Sequence, residues 1–343
     1  MTRQMILFAL VTLTAPALIG AAALWGGWWA VAAFAFLTAI AATMDEFVSV
    51  ATAPGGEDRE FPEADTLSVV LALAHFALLA LMIAALTGTW LSPLEKLAGF
   101  AAAGLFFGQV SNSNAHELIH HSSRFLHHLG MWVYISVLFG HHTSAHPLVH
   151  HVHVATRADP SSARRGESLY VFIWRAWRGS FRLGAQVESA RLARAGRPRW
   201  QHPYVTYLGG AALMLALAAM IGGPWGVPAL LALAGFAQSQ LLMSDYVQHY
   251  GVTREVGENG KPLPVAARHS WNTPHWFSSA LMLNAPRHSD HHAHPARPFP
   301  ALTLQIDAPM LPRSLPVMAF VALYPPLWRR VMDPRAEIWA AKP

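Results

Sequence analysis

Long apolar runs, most of them near the length that crosses a bilayer, alternate along the chain with segments crowded with histidine and arginine. Six runs stand out, at approximately 5–24, 27–44, 66–89, 94–110, 203–222 and 225–247. Trp25 and Gly26 alone separate the first two, Trp90 to Pro93 join the next two, and Gly223 and Pro224 the last two. Links this short fold consecutive spans back on each other. The pattern predicts an all-α integral membrane protein with six transmembrane helices as three hairpins. Segments 111–202 and 248–305 form a histidine-rich helical cap on this single membrane domain, 1–343. Arg3 ahead of an Ala-rich run also fits a signal peptide, but the apolar pattern resumes after two residues, which favours a retained anchor. The apolar stretch 310–328 holds Pro312, Pro316, Pro325 and Pro326 and is expected at the interface or packed, not spanning. Residues 251–264 read as an exposed loop.

Composition agrees with membrane residence, since only 13% of the 343 residues are charged, about half the share in a soluble domain. The absence of cysteine excludes disulfides, thiolate-bound metals and cysteine nucleophiles. Of 24 Arg and Lys, eleven fall in 111–202 and ten in 249–343, which puts both long loops and both termini in the cytoplasm. The net charge of +5 therefore reads as topology and not as nucleic-acid binding. The loop 45–65 (Asp45, Glu46, Glu57, Asp58, Glu60, Glu63, Asp65) is acidic and is placed inside by hairpin parity alone.

The chain has 20 histidines against 19 Asp and Glu, and none precedes His75. Eleven lie in 116–153 and seven in 249–294, each group starting where an apolar run leaves the membrane on the same side. Their spacing is helical. His116 and His120 are four apart, His146, His150 and His151 four and five apart, and His288, His291 and His292 three and four apart. With His249, just past the sixth run, these make nine candidate ligands, too many for one metal and suited to two. Imidazole alone leaves iron, zinc, copper and nickel open. His75, His202, His269 and His275 read as structural, and His127, His128, His141, His142, His153 and His294 as supporting or surface residues.

His116-Glu117-Leu118-Ile119-His120 also matches the HExxH signature of zinc peptidases, which would leave the other patterned histidines without a role. A histidine-rich metal transporter would need ligands inside the spans, where only His75 lies.

Together these segments resemble the integral-membrane alkane hydroxylases, within the histidine-box group of membrane fatty-acid desaturases and hydroxylases. His116 to His120 resembles the first box, and His146 to Pro160 (HPLVHHVHVATRADP) with Ser161 to Glu167 the second. Asp245 to Gly251 (DYVQHYG) resembles the NYxEHYG box. Ser270 to Asn272 and Arg287 to Pro295 (RHSDHHAHP) resemble the last. Ile119, His121, Ala145, Val149, Asp245, Gln248 and Pro286 depart from the usual pattern, and none of them is a presumed ligand.

The resemblance implies a non-haem di-iron monooxygenase in the bacterial inner membrane, with two Fe held by His116, His120, His146, His150, His151, His249, His288, His291 and His292. It implies O2 as co-substrate, a hydrophobic substrate taken from the bilayer, and electrons from a rubredoxin or ferredoxin with its reductase. A desaturase or hydroxylase of fatty-acyl chains would use the same site. Asp159, Asp245 and Asp290 are placed to accept the second ring N–H of a ligating histidine, and Glu117 also reads as a supporting residue, not a ligand. Asp159 fits a turn before Pro160 equally well. An arginine-rich face (Arg164, Arg165, Arg175, Arg178, Arg182) suits an acidic carrier or anionic membrane lipids.

Overall fold

The computed structural model describes residues 2–48, 61–305 and 307–340; Glu57, Asp58, Arg59 and Glu60 of the acidic loop lie outside them. Among the described residues the chain is all-helical, with only isolated β-bridges. The helices are α1 (Arg3–Trp25), α2 (Trp28–Phe47), α3 (Pro62–Thr87), α4 (Pro93–Leu105), α5 (Asn112–His120), α6 (Arg124–Ser136) and α7 (Leu169–Arg194). They continue with α8 (Pro203–Gly222), α9 (Gly226–His249), α10 (Trp276–Leu281), α11 (His288–Ala293), α12 (Leu315–Ala322) and α13 (Pro325–Ala340).

Among the described residues four helical runs are long and apolar enough to cross a membrane: α1, α2, α3 and Pro203–His249. The sequence counts six, and the difference has two local causes. The fifth and sixth runs form one 47-residue stretch, divided into α8 and α9 at Gly223–Trp225. There Gly223 takes a positive φ of 57°. The fourth run reaches only thirteen residues as α4 before a π-helical turn, Phe106–Ser111, passes it without a break into α5. The fourth apolar run and the first histidine pair are therefore one continuous helical path.

Neighbouring helices are tied at their turns. Ser92 and Glu95 form a capping box at the start of α4. The Glu95 carboxylate also accepts from the Gly27 N–H between α1 and α2, and Trp90 Nε1 donates to Ala23 O at 2.9 Å. Glycine then lets helices approach. A Cβ on Gly108 would stand 2.4 Å from the Gln240 Cβ on α9, and one on Gly130 of α6 2.7 Å from the Leu118 Cβ on α5. Deep in this packing His75 is fully buried, with Nδ1 on Ser111 Oγ and Nε2 on Ser136 Oγ.

Asp45, at the start of the acidic loop, accepts the N–H groups of Phe277 and Ser278 at 2.9 and 3.0 Å, tying α2 to the first turn of α10. The proline-rich stretch after residue 310 forms the short α12, packed on α9, and the longer α13. Trp328, Met332 and Ala336 bury one side of α13. Residues 251–264 form a loop with one bridge between Val256 and Pro262.

Candidate metal centre

Three helix ends and one irregular turn bring the patterned histidines together. α5 ends on His120 with His116 one turn back, α9 ends on His249, and α11 carries His288, His291 and His292. The fourth contribution is the turn 142–153. In a regular α-helix residues five apart diverge by roughly 140°. Here His146–His150 is π-helical and the His151 N–H bonds the His146 carbonyl, five residues back. The wider turn brings His146 and His151 to one side and sends His150 to the other.

The result is two clusters. His116, His120, His146, His151 and His291 have ring nitrogens within 4.8 Å of one another, and so do His150, His249, His288 and His292. The clusters abut, with the His151 and His292 rings 4.6 Å apart and the His146 and His150 rings 5.2 Å apart. These are the eight histidines singled out by spacing together with His249, chosen for its place just past the sixth run.

Their nitrogens converge in a way that hydrogen bonds do not explain. In the first cluster Nε2 of His116 lies 2.7 Å from Nε2 of His146, which lies 2.9 Å from that of His151. The chain of contacts ends at His291 Nε2, 3.1 Å from His151 Nε2. In the second, His288 Nε2 lies 2.9 Å from that of His249 and 3.1 Å from that of His292. Nε2 of both His120 and His150 is buried with no hydrogen-bond partner. An imidazole nitrogen carries either one proton or one lone pair and so satisfies one such contact. His146, His151 and His288 each face two. A cation at each focus would take every lone pair, and an all-imidazole donor set suits a divalent transition metal. Burial, reinforced by neighbouring imidazoles, holds the His146, His151 and His291 rings well below their ordinary pKa, so they stay neutral and able to ligate.

The supporting carboxylates divide. Asp159 takes His150 Nδ1 at 2.9 Å, and it also caps its own turn through Ser161 N and Ser162 Oγ. The carboxylate makes both sets of bonds at once. Burial depresses His150, but the adjacent Asp159 carboxylate more than offsets it and holds the ring above its usual range. Asp290 binds Arg297 at 2.8 Å to each oxygen, with Thr303 N and His294 Nδ1. It anchors the following loop, and among the described residues its bonds go to Arg297, Thr303 and His294 and not to a cluster ring. Glu117 accepts the Phe299 N–H at 3.1 Å, and burial pushes its carboxyl up to about 7. It is thus engaged away from the rings, unlike the base of a peptidase. Asp245 is buried on α9, where it lines one pocket with His116, His146 and His288.

Sequence reasoning passed over Asn272 as a positioning residue. Its Oδ1 accepts the Ser289 N–H and its Nδ2 donates to Ser289 Oγ, clamping α11 between His288 and His291. The neighbouring Trp271 bonds Gln248 O and Tyr250 O, gripping the end of α9 around His249. The segment 270–272 was visible only as part of a box. His142, read as a supporting or surface residue, is buried, stacks on Phe139 and lines the same pocket as His146. His141 packs on Trp177 and Phe181, and His127 bonds the Ile119 carbonyl.

Comparison with known proteins agrees with this geometry. The fatty acid desaturase family model matches residues 88–320. The chain belongs to the fatty acid desaturase family. It is 35% identical over 255 residues to alkane 1-monooxygenase 1 of Pseudomonas aeruginosa, covering 72% of this chain and 65% of that protein. It is 34% identical over 291 residues to alkane 1-monooxygenase 1 of Alcanivorax borkumensis, covering 83% and 70%. A xylene/toluene monooxygenase hydroxylase component of Pseudomonas putida is 30% identical over 199 residues, 57% of this chain and 52% of that one. The chain thus spans about two thirds of the length of its alkane-monooxygenase relatives. Both clusters fall within the stretch matched by the desaturase family model.

Proposed function

We propose that the chain is a membrane monooxygenase that holds two irons and hydroxylates an unactivated C–H bond, a terminal methyl foremost, of an alkane or similar hydrophobic molecule drawn from the bilayer. The observation that carries this reading is the pair of abutting all-histidine clusters at the ends of apolar helices. His116, His120, His146, His151 and His291 would hold one iron, and His150, His249, His288 and His292 the other. When bound, the irons supply the activation of dioxygen. One oxygen atom enters the C–H bond and the other leaves as water.

The chain's own residues set the stage for that reaction. Asp159 fixes the His150 ring so that Nε2 faces its cluster. Asn272 and Trp271 hold the end of α9 and α11 in register. Asn112, Ser113 and Leu241 wall the pocket over His116, His146 and His288, where the reacting C–H bond would sit. The relatives' names support hydroxylation over desaturation.

Electrons come from a separate carrier, a rubredoxin or ferredoxin served by its reductase, because the chain has no cysteine to hold a thiolate-bound iron. Arg157, Arg164 and Arg165 border a cavity of about 490 Å³ that reaches Asp159, and such a rim would attract an acidic carrier. Arg175 does not serve this role, being bonded to Glu167 at 2.8 Å, and Arg178 lies over the Trp174 ring. We further propose six spans as three hairpins in the inner membrane, with the arginine-rich loops in the cytoplasm.

Turnover in labelled dioxygen tests the reaction. A hydroxylase places the label in an alcohol; a desaturase releases an alkene with all the label in water.

A further inference from the structure

We infer that the route to the metal centre is built for a hydrophobic molecule bearing a hydroxyl group, and that Gln109 and Gln240 are the residues that recognise it. The inference rests on the monooxygenase reading and names the class of substrate that it would take. A narrow cleft between the π turn after α4, α9 and α12 is walled by Met243, Met282 and Leu315. Asn112, Ser113 and Ser244 line both this cleft and the pocket over His116, His146 and His288, so the two are adjacent. Gln109 and Gln240 line the cleft on the far side of these shared residues.

Both glutamines lie in apolar runs, where uncharged polar side chains are costly and are kept for a partner. They touch each other weakly, Gln109 Nε2 to Gln240 Oε1 at 3.3 Å. Gln109 Oε1 is buried with no partner. The pair therefore offers one spare acceptor and, from Gln240 Nε2, spare donor capacity. A hydroxyl complements that pair because it donates and accepts at once. If both amides are turned over, the spare donor and acceptor exchange places and a hydroxyl still fits. A carbonyl supplies no proton for Gln109, and a carboxylate finds no cation among the cleft residues. Gln109 precedes His116 by seven helical residues, a rise of roughly 10 Å. A medium-chain alcohol held by its hydroxyl at the glutamines thus reaches the metal centre with its distal methyl.

The bland role for such a pair is a hydrogen bond that glues α4 to α9. That role predicts lower stability on substitution and no change in substrate preference. The test is a competition between 1-decanol and n-undecane, matched in heavy-atom number, by the iron-loaded protein with its reductant. The expected result is a preference for the alcohol of about tenfold or more, with a terminal diol as product. The Gln109→Leu/Gln240→Leu protein should lose that preference while still hydroxylating n-undecane. A ratio unchanged by the substitutions would overturn the inference. If the double variant fails to fold, Gln240→Met carries the same comparison. If wild type turns over neither substrate, the monooxygenase reading fails, and equilibrium binding of labelled 1-decanol decides the inference independently. Binding weakened about tenfold by Gln240→Met would uphold it, and equal binding would overturn it.

Discussion

The bond between His150 and Asp159, ring Nδ1 to carboxylate Oδ2 at 2.9 Å, decides which nitrogen of His150 faces the second cluster. It also couples a residue on the wall of a 490 Å³ surface cavity to a buried ring of the four-histidine cluster. Asp159 is itself fixed by Ser161 and Ser162, so the ring cannot turn without breaking the loop.

Asp159→Asn should therefore leave the fold intact and weaken metal binding in the His150 cluster by roughly 10- to 100-fold, the usual effect of losing an outer carboxylate. Metal titration of the chelator-stripped protein measures this. An unchanged affinity would mean that the ring is held by its other neighbours.

Asn272→Ala removes both bonds to Ser289 and leaves a buried N–H unpaired, at a cost of about 1–3 kcal/mol. Because Ser289 sits between His288 and His291, metal should be lost from both clusters along with thermal stability. A drop in melting temperature with full metal retention would limit Asn272 to a role in folding.

Gly130→Ala would push a Cβ against Leu118 and the carbonyl of Ala115, both on the helix that carries His116 and His120. Overpacking of this kind costs typically about 1–3 kcal/mol and should loosen the five-histidine cluster. Gly209→Ala, with nothing within 4 Å, is the control and should be neutral or stabilising. Equal melting temperatures for the two variants would contradict the packing argument.

The metal-free protein should lose stability as pH falls. Burial depresses the His146, His151 and His291 rings in the folded state, while the unfolded chain takes up protons near about pH 6.5. Below that value the unfolded state binds more protons, so acid favours unfolding. Melting curves of stripped protein at pH 7.5 and 5.5 test this. A higher melting point in acid would show that the rings are not held neutral.

Much of this centre was legible in the sequence because helical spacing sets which histidines share a face. His116 with His120, and His288 with His291 and His292, follow from residue number alone. The division into five and four did not, because it depends on the π turn at His146–His150, a shift in hydrogen bonding that no residue type announces. Asp290 was expected to support a ligand from its place between His288 and His291. On a helix, though, it lies two residues from His288, on another face, and its partners Arg297 and Thr303 come from the next loop. The long apolar helices were legible from hydropathy, though four and not six reach spanning length among the described residues. The fourth apolar run does not stop where its apolar residues do, since α4 and α5 form one continuous path. Asn272 escaped notice because its partner is seventeen residues away and no periodicity links them.

The most direct test is metal content of the detergent-purified protein beside its His151→Ala and His292→Ala variants, each removing a ligand from a different cluster. The account predicts about two irons per chain in the parent and about one in each variant, with hydroxylation lost in both. A single metal in the parent, unchanged by either substitution, would contradict it.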